Sequence, residues 1–326
     1  MITLEGSFPA LITPMKINNN QDVNFDVLHK LIQMHIHAGS SGIVPCGTTG
    51  EAPTLSHEEH NKIIRECVNV ATGTGLLVIP GTGSNSTKEA MQLTEHAAKV
   101  KADACLVVAP YYNKPTADGV VTHFRHLNTV GIPLIVYNIP GRSGINIEPM
   151  TLLEIASECQ NIVAIKASNG NLDEILQTTN LFRQNKINVQ ILSGDDSLTF
   201  PILAAGGTGV ISVLANIWPN TMAMLIHLYR TQANNTKAMT LAQIIHPLCL
   251  ALLRFGANPS PIKALMGVQG FSVGGTRLPI TVLGKPELQE LMSLFEKVRS
   301  SLIELTFLKS KFASGIFEGQ DFSIRL

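Results

Sequence analysis

The sequence predicts an α/β fold: a (β/α)8 TIM barrel over residues 1–230 with a C-terminal helical appendage. Three observations predict it. Eight short apolar runs rich in Val and Ile recur roughly every 25 to 35 residues. Helix-forming patterns with start and stop signals lie between them. The runs are continuously apolar rather than alternating, as expected of parallel strands covered on both faces. An open doubly wound sheet is the competing architecture, but no GxGxxG follows the first run, and a count of eight fits a closed barrel.

In chain order the runs are FPALIT (8–13), GIVPCG (42–47), LLVIPG (76–81), ACLVVAP (104–110), PLIVYNIP (133–140), IVAIKA (162–167), VQILSG (189–194) and TGVISV (208–213). Between the first two, Val27, Leu28, Leu31, Ile32 and Ala38 line one helical face and Gly39 ends it. Ser56 with Glu59, and Ser86 with Glu89, have the spacing of a capping box. Pro149 suits a first helical turn, and Asn171 can cap the helix carrying Leu172, Ile175 and Leu176. From about 231 the strand pattern stops. Stretches 237–256, 260–267 and 286–302 read as helices, giving an appendage over 231–303 and a weakly periodic tail over 304–326.

Composition narrows the function classes. The chain has 326 residues, 45% of them hydrophobic and 15% charged, enough to bury a large core. Lys plus Arg (24) equals Asp plus Glu (24), which argues against a nucleic-acid binder that tracks phosphates with a basic surface. The five cysteines are widely spaced and include no CxxC. They read as reduced thiols of a cytoplasmic protein. Glu5 interrupts the N-terminal stretch, which has no basic n-region and so does not read as a signal peptide. No uninterrupted apolar run reaches the ~18 residues of a membrane span, so no membrane partner is expected.

The informative feature is a charge at the end of an apolar strand. Lys166 closes the run IVAIKA. In a barrel, side chains at the C-terminal strand ends face the active site. Withdrawal from bulk water favours the neutral amine, the form that attacks a carbonyl and makes a Schiff base. The bland alternative is a charged lysine paired with a carboxylate. Other strand ends weigh against it: Thr48 and Thr49 follow run two, Tyr111 and Tyr112 follow run four, and Tyr137 lies in run five. Hydroxyls at those places can relay the protons that imine formation requires.

Taken together, GTTGE (47–51), APYYNKP (109–115), YNIPGRSG (137–144), IK with NGN (165–171), LSGDD (192–196) and GVISVLAN (209–216) resemble the dihydrodipicolinate synthase and N-acetylneuraminate lyase family. NPSPIKALMG (258–267) and RLPIT (277–281) resemble its C-terminal helical region. The resemblance runs in order over roughly residues 3 to 300. It implies lysine-dependent aldol chemistry in which Lys166 forms an imine with pyruvate. Tyr137, Thr48 and Tyr112 would form the proton relay, with Tyr112 contributed across a subunit interface of a homotetramer. Thr49 would hold the pyruvate carboxylate, and Gly194 and Ile211 would supply backbone contacts near the lysine. No cofactor and no metal is implied.

Arg142 selects among branches of that family. A guanidinium binds a carboxylate through two hydrogen bonds and stays charged. In the synthase branch an arginine here binds the carboxylate of a second substrate, L-aspartate 4-semialdehyde. Condensation with pyruvate and ring closure would then serve diaminopimelate and lysine synthesis. Ala167 departs from the family pattern, which usually has an acidic residue after the lysine.

The resemblance also implies a second site. In lysine-inhibited members, residues matching His57, His60, Asn85, Glu89 and Tyr111 surround an inhibitory lysine. The spacing of His57 and His60 is not that of HExxH, and no third metal ligand is evident. Two other functions compete. One is a related pyruvate-dependent aldolase acting on sialic acid or a 2-keto-3-deoxy sugar acid. The other is a non-catalytic keto-acid-binding barrel, which would not need a complete relay.

Overall fold

The computed structural model describes residues 2–231 and 235–305. All eight expected strands form: β1 Gly6–Pro9, β2 Gly42–Ile43, β3 Leu77–Val78, β4 Cys105–Val108, β5 Leu134–Asn138, β6 Ile162–Ala167, β7 Gln190–Ser193 and β8 Gly209–Ser212. Helices alternate with them: α1 Phe25–His37, α2 His57–Ala71, α3 Thr87–Lys99, α4 Ala117–Asn128, the single turn α5 Pro140–Ser143, α6 Pro149–Glu158, α7 Leu172–Gln184, α8 Thr199–Ala204 and α9 Pro219–Arg230. Three more follow: α10 Asn235–Arg254, α11 Ser260–Val268 and α12 Lys285–Glu304. The expected tail lies, from 306 onward, outside the described residues.

Every ladder is parallel. The regular ladders form a curled six-stranded sheet, β1-β8-β7-β6-β5-β4, and a separate pair, β2-β3. They therefore do not make the one closed eight-stranded ladder that the sequence predicts. Single parallel bridges, Ala10 to Val44 and Gly81 to Leu106, stand at the two seams. The physical reason is proline. Pro45 and Pro80 follow β2 and β3 within two residues, and an imide nitrogen offers no donor to extend a ladder.

Three apolar clusters build the core. One draws Phe8, Val44, Ile79, Leu106, Ile135, Leu192 and Ile211 from positions along the strands and their ends, and it includes Tyr137. The other two lie where strands meet helices. Alternation along β6 shows the division: Ile165 and Ala167 join an outer cluster, whereas Ala164 belongs to the inner one. A side chain at 166 therefore points inward.

Local chemistry sets the helix starts. Ser56 and Glu59 complete the capping box at α2. At α3 the expected box forms only by half. Ser86 accepts from the Glu89 N–H, but the Glu89 carboxylate turns to Ser84 and His57. Asn171 caps α7, and Pro149 opens α6. Helix α10 is long and apolar enough to cross a membrane. Its Leu241, Ile245, Leu248 and Leu252 are instead buried in the core, where α10 packs on α9 and α12.

Candidate active site

The register of β5 and β6 pairs Tyr137 with Lys166. Both are nearly buried, at 5% and 6% exposure. The Lys166 Nζ lies 4.0 Å from the centroid of the Tyr137 ring. Among the described residues no carboxylate comes within salt-bridge distance of it. Gly194, which follows β7, makes the space for this side chain. A Cβ there would stand 2.9 Å from Lys166 Cε and 1.8 Å from Ser168 Oγ. Ile211 is buried in β8 and lines the inner core rather than the open face.

Asp195 and Asp196 follow Gly194. Burial pushes both carboxyls above the ordinary carboxylate range, and the charge of Lys166 opposes that rise. One oxygen of Asp196 accepts the Val213 and Leu214 N–H groups at 3.0 and 2.8 Å. This ties the end of β7 to the turn after β8. In the sequence both aspartates stand in LSGDD, where nothing local gives them a role.

A cavity of about 470 Å³ opens beside the lysine's partner. Thr48, Tyr137 and Arg142 line it, and so do His57, His60, Glu89 and Tyr111. Residues of both expected sites thus share one cavity wall, although Lys166, Thr49, Gly194 and Ile211 do not line it. Tyr112 does not line the cavity. It is 88% exposed, with a positive φ of 73° that turns it away from Tyr111. Arg142 sits on the exposed turn α5, where no carboxylate among the described residues pairs with it.

Toward α2 and α3 the wall is polar. Glu89 accepts from Ser84 and lies 2.7 Å from His57 Nε2. The Ser84 hydroxyl, then His57, hold its carboxyl below the usual range. His60 is buried, and its Nε2 meets the Gly81 carbonyl at 2.9 Å. Burial pushes its pKa down. Asn85 stands next to Ser84 but outside the cavity wall, its carbonyl accepting from Asn113 at 2.8 Å.

The segment carrying Thr48 and Thr49 is pinned from the C-terminal side. Thr49 is buried, and its Oγ1 lies 2.9 Å from Asn258 Nδ2. Thr13 donates to the Gly50 carbonyl at 2.6 Å. Glu51, held at φ 57°, is fully buried with Lys263 at 2.6 Å and accepts the Arg277 N–H at 2.8 Å. Arg277 in turn grips both oxygens of Glu59 at 2.8 and 2.6 Å. Sequence reading missed this network. Its members lie more than 200 positions apart, and periodicity carries no signal across such a span. The trace in the sequence is one charge in each of two motifs, Glu51 in GTTGE and Lys263 in NPSPIKALMG.

Comparison with known proteins gives this geometry a family. A 4-hydroxy-tetrahydrodipicolinate synthase of Endomicrobium trichonymphae is 41% identical over 287 residues, covering 88% of this chain and 95% of the relative. A dihydrodipicolinate synthase of Acinetobacter baumannii, solved in complex with pyruvate, superposes with a TM-score of 0.85 at 37% identity, covering 91% and 99% of the two chains. The enzyme of Cyanidioschyzon merolae, solved with lysine bound, superposes with a TM-score of 0.85 at 35% identity, covering 90% and 98%. The dihydrodipicolinate synthetase family as a whole matches residues 3–298. With so little of its length outside that match, this chain belongs to the dihydrodipicolinate synthetase family.

Proposed function

We propose that the chain is a lyase that condenses pyruvate with L-aspartate 4-semialdehyde to 4-hydroxy-tetrahydrodipicolinate, for lysine and diaminopimelate synthesis, on a (β/α)8 barrel. The observation that carries this reading is Lys166: an inward, buried amine on the ring of Tyr137 with no carboxylate partner among the described residues. Such an amine is placed for carbonyl chemistry rather than charge pairing.

In this reading the neutral Lys166 amine adds to the pyruvate ketone. The carbinolamine loses water to give a protonated imine. Loss of a methyl proton gives an enamine, whose carbon attacks the aldehyde of the second substrate. The amino group of the adduct then displaces Lys166 and closes the ring, which returns the free amine. Each step moves a proton, and we assign those transfers to Tyr137 and Thr48, two of the hydroxyls on the cavity wall. Tyr112 is exposed and points away from its own cavity. We assign it to the relay of a partner subunit, within a homotetramer built as a dimer of dimers. Thr49, Gly194 and Ile211 bind pyruvate near the lysine. Arg142, at the open rim, holds the carboxylate of the aldehyde substrate by paired hydrogen bonds.

Free lysine is the feedback ligand of this reading. His57, His60, Glu89 and Tyr111 line the same cavity, and Asn85 adjoins it. The carboxylate of Glu89 suits the lysine side-chain ammonium. The protein acts in the cytoplasm, a reading supported by five buried, unpaired cysteines.

The test is covalent trapping. Incubation with pyruvate and borohydride should leave a stable adduct, located by peptide mass spectrometry on Lys166. An unmodified Lys166 in folded protein would remove the imine, and with it the aldol reading.

A further inference from the structure

We infer that Asn258, far from the barrel in sequence, is a positioning residue that sets which way the Thr49 hydroxyl donates. The inference rests on the reading that Thr49 holds the pyruvate carboxylate. Asn258 precedes α11, the helix that carries Lys263. It is 6% exposed, and its Nδ2 lies 2.9 Å from Thr49 Oγ1. Its Oδ1 is buried and has no hydrogen-bond partner. A hydroxyl has one proton and two lone pairs. An amide N–H that occupies one lone pair leaves the proton to point elsewhere, and a carboxylate, which only accepts, requires that proton. Asn258 thus keeps Thr49 a donor toward the substrate.

The surroundings hold this arrangement rigid. Immediately after Thr49, Gly50 is bound through Thr13, and Glu51 is locked by Lys263 and the Arg277 N–H. A Cβ on Gly50 would stand 2.9 Å from the Cys46 nitrogen, so the turn is tight as well as tied. The loop has little freedom to turn Thr49 by itself. The side chain of Asn258 is therefore the free variable, and its chemistry can be changed with almost no change in shape.

The experiment uses the full-length chain and measures the pyruvate KM and kcat separately, with thermal melting as a control. Asn258→Ala removes the donor. Asn258→Asp keeps the shape but, once ionised, only accepts, and so takes the Thr49 proton for itself. Thr49→Val removes the hydroxyl. We expect Thr49→Val to raise the pyruvate KM roughly ten- to a hundredfold, the range for a hydrogen bond to a charged group. Asn258→Ala should raise it about threefold. Asn258→Asp should raise it more than Asn258→Ala at neutral pH, and its penalty should shrink as pH falls and the new carboxyl regains a proton to donate. In the Thr49→Val background neither substitution should raise KM further.

Outcomes separate the two layers. If Thr49→Val leaves the pyruvate KM unchanged, the role of Thr49 falls and Asn258 with it. If Thr49→Val raises KM but Asn258→Asp gives the wild-type KM and pH profile, only the proposal about Asn258 is overturned. Should Asn258→Ala fail to fold, the pH profile of the isosteric Asn258→Asp decides alone.

Discussion

The molecule buries two lysines in opposite ways. Lys263, 3% exposed, meets Glu51 at 2.6 Å and the Gly275 carbonyl at 2.6 Å. Lys166, 6% exposed, rests on an aromatic ring with no carboxylate in salt-bridge reach among the described residues. Burial pulls the Lys263 ammonium below its ordinary value, and Glu51 opposes the fall. Burial alone therefore does not mark a reactive amine; the partner does. A paired cation belongs to the scaffold. An inward amine on an aromatic ring, with no ion-pair partner among the described residues, is what the proposed chemistry needs. The contrast predicts opposite responses to the same substitution.

Lys166→Ala should abolish condensation, with a loss of at least about a thousandfold, because no other group can form the imine. Its melting temperature should stay close to that of the unaltered protein, since no ion pair is broken. Steady-state kinetics and a thermal scan check both halves. Residual activity within tenfold of the original would break the comparison from its reactive side.

Lys263→Ala should do the reverse. It strands a fully buried carboxylate, and breaking a buried pair in that way costs about 3–5 kcal/mol. Denaturant unfolding measures the loss. Replacing Glu51 and Lys263 together with Gln and Met should recover part of it, because the orphaned charge is gone. Equal destabilisation by Lys166→Ala and Lys263→Ala would mean that the two lysines are not different in kind.

These two lysines also mark what the sequence could and could not say. Lys166 was legible because it interrupts a continuous apolar strand, and strand ends of a β/α fold face one side. Tyr137 was legible for the same reason, one strand away. Lys263 sits in a helix whose pattern says only that one face is buried, and nothing local names Glu51 as its partner. The capping spacing of Ser86 and Glu89 was visible, but Ser84 and His57 compete for that carboxylate and win. The eight runs foretold the eight strands. They did not foretell that proline would cut two strands to two residues each. Exposure of Tyr112, and the sharing of one cavity wall by residues of both expected sites, depend on side-chain direction, which periodicity does not encode.

The acid limb of stability should come from the core and not from the site. Burial lowers His35 from the ordinary 6.5 to about 3 and His123 to about 4. A group whose folded pKa is depressed contributes stability above its unfolded pKa and loses it as pH falls toward the folded value. The window here runs from about 6.5 down to about 3. By pH 4 the stability lost through His35 alone is about 3 kcal/mol. Unfolding free energy measured across that window should fall in Lys166→Ala as it does in the unaltered chain. His35→Asn should flatten the slope.

The smallest effect concerns the polar end of the cavity. Lysine added to the assay should inhibit at millimolar concentration. Glu89→Gln should raise the half-inhibiting concentration about fivefold, a loss near 1 kcal/mol for a partly exposed ion pair. The effect is modest because Glu89 already spends its charge on His57 and Ser84, so lysine must share that carboxylate rather than receive it whole. His57→Ala frees one oxygen and should move inhibition the other way, toward tighter binding. Equal weakening by both substitutions would instead make His57 a direct contact of lysine. Complete indifference to lysine would leave this end of the cavity as part of the scaffold, on the same footing as Lys263.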